Sequence, residues 1–136
     1  MGLVYADITL RNATDVGNCK RGLINEQEIR ETTLTAMVDT GAATLVINEP
    51  IRQQLGLDTE GSYLAKLADG SKHKYFHTEP VQIQWKNRKA TLQAVVVPGA
   101  TEVLLGAIPL EAMDLIINPL EQELTGAHGD EIIYRI

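Results

Sequence analysis

The chain has 136 residues, 44% of them hydrophobic and 22% charged, with three His and one Cys. This length sets one domain spanning residues 1–136. Eighteen acidic against twelve basic residues give a net charge of −6, which argues against nonspecific attraction to nucleic acid or to an anionic membrane. The single Cys19 excludes an intrachain disulfide. No apolar stretch reaches the length of a signal-peptide core or a membrane span, so a cytoplasmic location is expected.

In chain order, Val4, Ala6, Ile8 and Leu10 alternate with polar or smaller residues and predict a first strand. The stretch from Asn12 to Thr32 is long and polar and reads as a loop, with Asn12-Ala13-Thr14 as a turn. Leu34, Ala36 and Val38 then alternate with Thr33, Thr35 and Met37, and Leu45-Val46-Ile47 is a second apolar run. Between them lies Asp39-Thr40-Gly41-Ala42, so the pattern is strand, tight turn, strand. Asn48 to Gly56 predicts a short helix, with Asn48 as N-cap, Pro50 in the first turn and Gly56 at the end.

Leu64 to Phe76 contains two alternating runs joined through Asp69-Gly70, a strong local hairpin signal. Val81 to Trp85 and Ala90 to Val97 read as strands flanking a polar turn, Lys86-Asn87-Arg88-Lys89. A short apolar strand, Leu104-Leu105, is followed by Gly106 and a helix beginning near Pro109. Ile132 to Ile136 is expected as a last strand. The predicted class is all-β with short helices.

The residue that most demands a chemical explanation is Asp39, because a carboxylate at the end of a buried strand is unfavourable without a partner or a task. Asp-Thr-Gly also occurs in ordinary hairpin turns. Here the flanking strands, the Leu64–Phe76 hairpin with its Ala68-Asp69-Gly70-Ser71 tip, and the Leu104-Leu105-Gly106 run occur in one order, and together the chain resembles the retropepsin-like branch of the aspartic proteases from about residue 3 to about residue 120. That resemblance implies a retropepsin-like closed β-barrel with one or two short helices and a flap hairpin. Two departures stand out. The chain has Ala107-Ile108-Pro109 where the family often carries a polar pair, and residues 12–32 exceed what a minimal viral enzyme carries.

The resemblance implies that Asp39 is the catalytic carboxylate, that Thr40 locks two such loops together, and that Gly41 presents its backbone to substrate. Ala42 would line the cleft, and Ala68, Asp69, Gly70 and Ser71 would close over bound peptide. The chemistry needs two carboxylates sharing one proton. One chain supplies a single Asp-Thr-Gly, so the expected partners are a second copy, in a two-fold homodimer, and a peptide or protein substrate. No cofactor is expected: there is neither a nucleotide-binding glycine loop nor a Gly-x-Ser-x-Gly.

The remaining polar residues read as structural. Asp7, Asp15, Asp58, Asp114 and Asp130 are expected as solvated surface or caps, and His128 as loop. His73 and His77 share a strand face but lack a third ligand at a recognisable spacing, so no metal site is expected. A second function class stays open, a noncatalytic dimeric peptide-binding module on the same fold. A third is a structural β protein with an incidental Asp-Thr-Gly.

Overall fold

Alternation of apolar and polar side chains along Val4–Asn12 forms β1, whose inward residues Val4, Ala6, Ile8 and Leu10 are buried. It pairs antiparallel with β2 (Glu31–Val38), Val4 opposite Val38 and Arg11 opposite Glu31. The computed structural model describes residues 2–136. Beyond β2, the sheet continues through β7 (Leu104–Leu105), β3 (Leu45–Ile47), β6 (Arg88–Val96), β5 (Lys72–Trp85) and β4 (Thr59–Lys66). The second half of β1 also pairs with β5, Thr9 opposite Gln84 and Asn12 opposite Val81. That pairing closes the strands into a ring and leaves β4 outside it as the end strand. The ring encloses Ile8, Leu10, Leu45, Ile47, Ile83 and Leu105, all essentially without solvent contact. A separate hairpin of β8 (Leu115–Asn118) and β9 (Glu123–Gly126) packs beside β1.

The class is all-β, as expected, with three α-helices among the described residues rather than one or two: α1 (Ala13–Lys20), α2 (Glu49–Gln54) and α3 (Ala107–Ala112). Asn48 caps α2 by accepting the Ile51 N–H at 3.0 Å, and Gly56 follows it at φ +62. α3 starts at Ala107, two residues before the expected position, because its first turn is fixed by contacts from Gly106 onward rather than by Pro109.

The polar stretch 12–32 is not a plain loop. Asn12 is buried, and its side-chain oxygen accepts the Asp15 N–H at 3.0 Å, which caps α1. Its Nδ2 donates to the Leu55 carbonyl at 3.0 Å, joining α1 to α2. Asp15 is correspondingly buried, not a solvated surface residue: its two oxygens accept Arg30 Nε at 2.9 Å, Arg30 Nη2 at 3.0 Å and the Arg30 N–H at 3.0 Å. A short 3-10 turn at Glu26–Glu28 completes this segment before β2.

The C-terminal end also departs from expectation. Residues 132–136 form no strand; the chain makes a single bridge, His128 with Glu131, and then runs on exposed. Arg88 is the reason the segment stays against the body. It is buried, not part of a solvated turn, and donates to the carbonyls of Met113, Asp114, Gly129 and Glu131. Asp114, at φ +54, is a second anchor rather than solvated surface. Its Oδ2 accepts the Ile133 N–H at 3.0 Å and pairs with His128 Nδ1 at 2.7 Å. No helix among the described residues is long and apolar enough to cross a membrane.

The Asp15–Arg30 contact makes stability depend on pH. The Arg30 side-chain hydrogen bonds hold the Asp15 carboxyl below its ordinary value against the opposing effect of burial. A carboxyl lowered on folding contributes stability that is fully present above its unfolded value of about 3.9 and is lost as pH falls through the lower folded value. Asp15→Asn should therefore lower stability at neutral pH and flatten its fall below about pH 4, measured by urea denaturation of both proteins between pH 2 and 7.

Candidate active site

β2 delivers Val38 into the core, and the next residue, Asp39, emerges half-buried at its end. The Asp39 N–H donates to the Leu105 carbonyl at 3.0 Å, so β7 fixes the backbone on which the carboxylate stands. The chain then turns tightly. The Ala42 N–H donates to the Asp39 carbonyl at 3.1 Å, and the Gly41 N–H donates to Asp39 Oδ1 at 2.9 Å. One carboxylate oxygen is thus oriented by its own loop. Thr40 and Gly41 are exposed and Ala42 is half-buried.

Behind this loop the chain returns as β7, Gly106 and α3. The Gly106 N–H donates to the Thr44 carbonyl at 3.1 Å, the Ala107 N–H to the Ala42 carbonyl at 2.9 Å, and the Ile108 N–H to the Ala43 carbonyl at 2.9 Å. Three successive donors brace three carbonyls of the turn, satisfying backbone groups that would otherwise be stranded. Backbone lies directly on backbone here. A Cβ at Gly106 would stand 2.4 Å from the Thr44 carbonyl oxygen and 2.6 Å from that of Ala42. The Leu-Leu-Gly run therefore needs glycine for close approach and not only as a strand-to-helix stop.

The other expected site residues lie on the β4–β5 hairpin. Ala68, Asp69 and Gly70 are exposed at its tip and Ser71 is half-buried. Gly70 adopts φ +87, and the Leu67 N–H donates to the Ser71 carbonyl at 2.8 Å. Asp69 Oδ1 accepts both the Ser71 N–H at 2.8 Å and Ser71 Oγ at 2.5 Å, with His73 Nε2 3.2 Å from the same hydroxyl. These Ser71 hydrogen bonds hold the Asp69 carboxyl below its usual range. Among the described residues, no hydrogen bond joins this tip to the Asp39 loop.

The hairpin's root has almost no local signal in the sequence. β5 is one 14-residue strand with an irregularity between His77 and Pro80. Thr78 sits there, fully buried, its Oγ1 donating to the Glu79 carbonyl at 2.6 Å and accepting the Ala94 N–H at 3.1 Å. Adjacent to Ala94, the Gln93 carbonyl accepts Thr44 Oγ1 at 3.4 Å. β6 thereby links the end of the Asp39 loop to the base of the hairpin. Only Pro80, which interrupts the strand pattern, signals this in the sequence.

His77 is half-buried against the Tyr63 ring, at 4.6 Å between centroids. Among the described residues, no group of three or more His, Cys, Asp or Glu is placed to hold a metal ion. A cavity of about 340 Å³ opens at the far end of β1 and β2, around Arg11, Cys19 and Glu31, and not beside Asp39.

The sequence matches the model of the family described as "gag-polyprotein putative aspartyl protease" over residues 25–112, well over half of the chain. The chain belongs to that family of retroviral-type aspartyl proteases. The matched region holds the Asp39 loop, the β4–β5 hairpin and the Gly106 brace. Among solved structures, the chain is similar to EIAV protease complexed with the inhibitor HBY-793, at 27% identity over 59% of this chain and 76% of that one, with a TM-score of 0.46. No curated protein sequence matches it significantly.

The Gly106 contacts predict a specific sensitivity. Gly106→Ala should cost about 1–3 kcal/mol by overpacking, because backbone rather than a movable side chain opposes the methyl group. Gly61→Ala places its Cβ in open space at ordinary φ and should shift stability by less than about 0.5 kcal/mol. Urea midpoints of the two variants against the parent check both.

Proposed function

We propose that the chain is an aspartic endopeptidase that acts as a two-fold homodimer, with one Asp39 from each copy in a shared site. The supporting observation is the way the loop is held. Asp39 stands at a strand end braced from behind by the Gly106, Ala107 and Ile108 N–H groups, with one carboxylate oxygen fixed by the Gly41 N–H and the loop surface open to a partner. A site divided between two copies is an open surface in one, and Thr40 and Gly41 are exposed beside Asp39.

In the dimer, two carboxylates a few ångströms apart cannot both ionise readily, so they share one proton. The ionised Asp39 takes a proton from a water, whose oxygen attacks the scissile carbonyl carbon. The protonated Asp39 of the other copy donates to the carbonyl oxygen, giving a neutral tetrahedral diol. Return of a hydroxyl proton and protonation of the amide nitrogen break the carbon–nitrogen bond, releasing a carboxylic acid and an amine and restoring the shared proton. Thr40, exposed beside Asp39, is assigned to hold the two loops together, and Gly41 and Ala42 to border the substrate backbone. Ala68, Asp69, Gly70 and Ser71 form the tip of a flap over an extended peptide held chiefly by main-chain hydrogen bonds.

The test is cleavage of a diverse peptide mixture by the parent chain and by Asp39→Asn, with oligomeric state measured by sedimentation in both. Cleavage should fall by about a thousandfold or more in the variant while the dimer persists. A chain that stays monomeric at high concentration with a peptide inhibitor present would sink the shared site. A chain that binds peptide and cleaves none would instead be the noncatalytic module.

A further inference from the structure

Opposite residues of the β4–β5 hairpin put Ser62 beside Phe76, Leu64 beside Lys74, and Lys66 beside Lys72. Because side chains alternate between faces, these six residues share one face, and all six are exposed. Three lysines and two large apolar side chains thus gather on one ribbon of a chain whose net charge is −6. Among the described residues, no ion pair involves any of the three lysines. Lys74 Nζ lies 5.5 Å from the Phe76 ring centroid instead.

Like charges directly opposite on a strand pair destabilise it, so the Lys66–Lys72 pairing costs the hairpin something that no ion pair among the described residues offsets. Over residues 72–75 β5 pairs with β4 alone, so all three lysines stand on the free two-stranded part of the hairpin, where their charge also guards open edges. The edge itself is a second feature: β4 ends the sheet, and its outer side pairs with no other strand.

We infer that this face and edge select an extended acidic peptide, which adds along β4 and places carboxylates at alternate positions against Lys66, Lys72 and Lys74, with an apolar side chain beside Leu64 and Phe76. Charge complementarity fixes the sign of the occupant, and the strand edge its conformation. Three lysines on a net acidic chain are too few to hold a nucleic acid against its overall repulsion. The inference deepens the reading of the chain as a peptidase, because it names acidic segments as the preferred substrate class.

The experiment separates the two. Fluorescence anisotropy on the 136-residue Asp39→Asn protein would compare three extended peptides of identical apolar residues that carry three Glu, three Gln or three Lys at alternate positions. The Glu peptide should bind about tenfold more tightly than the Gln peptide at low ionic strength, and the Lys peptide more weakly still. The gap should shrink at high salt. It should vanish when Lys66→Gln, Lys72→Gln and Lys74→Gln are combined, with the melting transition no lower than the parent's. Equal binding of the Glu and Gln peptides, or a gap that survives the triple change, would overturn the inference. Tighter binding of a single-stranded oligonucleotide or of phosphatidylserine vesicles would overturn it equally. The peptide order in the protein without lysine changes decides the matter even if the triple variant fails to fold. Cleavage by the parent chain is scored separately: cleavage blind to acidic residues counts against this inference alone, whereas acidic binding without cleavage counts against the peptidase reading alone.

Discussion

The rest of the molecule depends on the contact of one backbone with another at Gly106. β7 threads between β2 and β3, and the three N–H groups that follow it meet the carbonyls of Ala42, Ala43 and Thr44. A turn carrying a carboxylate tends to be mobile, since loops lack the ladder hydrogen bonds of the strands they join. Here the turn has a ladder of its own, supplied from 62 or more residues downstream in the chain, and it is possible only because residue 106 has no side chain. The position of Asp39 is therefore a property of tertiary structure rather than of its own tetrapeptide.

The same economy of contacts runs outward from that turn. Thr44 reaches Gln93, the neighbouring Ala94 is held by Thr78, and Thr78 sits at the irregularity from which the long hairpin springs. Elsewhere, polar groups that a small domain can ill leave unpaired are gathered into two hubs. Asn12, Asp15 and Arg30 fasten α1 to α2 and to the start of β2. Arg88 and Asp114 fasten the end of the chain to the body. Both hubs satisfy buried backbone carbonyls or N–H groups, where an unmet hydrogen bond costs about 1–3 kcal/mol.

How legible these features are in the sequence follows from their range. β1, the run up to Asp39, the Asp69-Gly70 hairpin and the capped helix at Asn48 carry local signals of period two or of capping, and they are found close to where those signals place them. The Asp39 loop is equally visible as a word between two strands. What local pattern does not display is which partner a polar residue finds. Asp15 and Arg88 look like surface residues because their hydrogen-bonding partners lie 15 and 25 or more residues away. The helix over Ala13–Lys20 is hidden by its polar composition, and it forms because Asn12 is fixed at its start by a contact with Leu55. At the other end, Ile132 to Ile136 reads as a strand, yet it pairs with no strand among the described residues of one chain.

The threading of β7 has a consequence for the order in which the chain is made. β2 and β3, on either side of Asp39, are joined in the sheet only through Leu104 and Leu105, and the ring does not close until β5 has met β1. A nascent chain released from the ribosome as far as residue 100 carries the whole Asp-Thr-Gly word and its local hydrogen bonds, but none of the three donors that brace the turn from behind. Synthesis thus separates the appearance of the carboxylate from the assembly of its loop. The turn gains its brace only when residues 106–108 have been made.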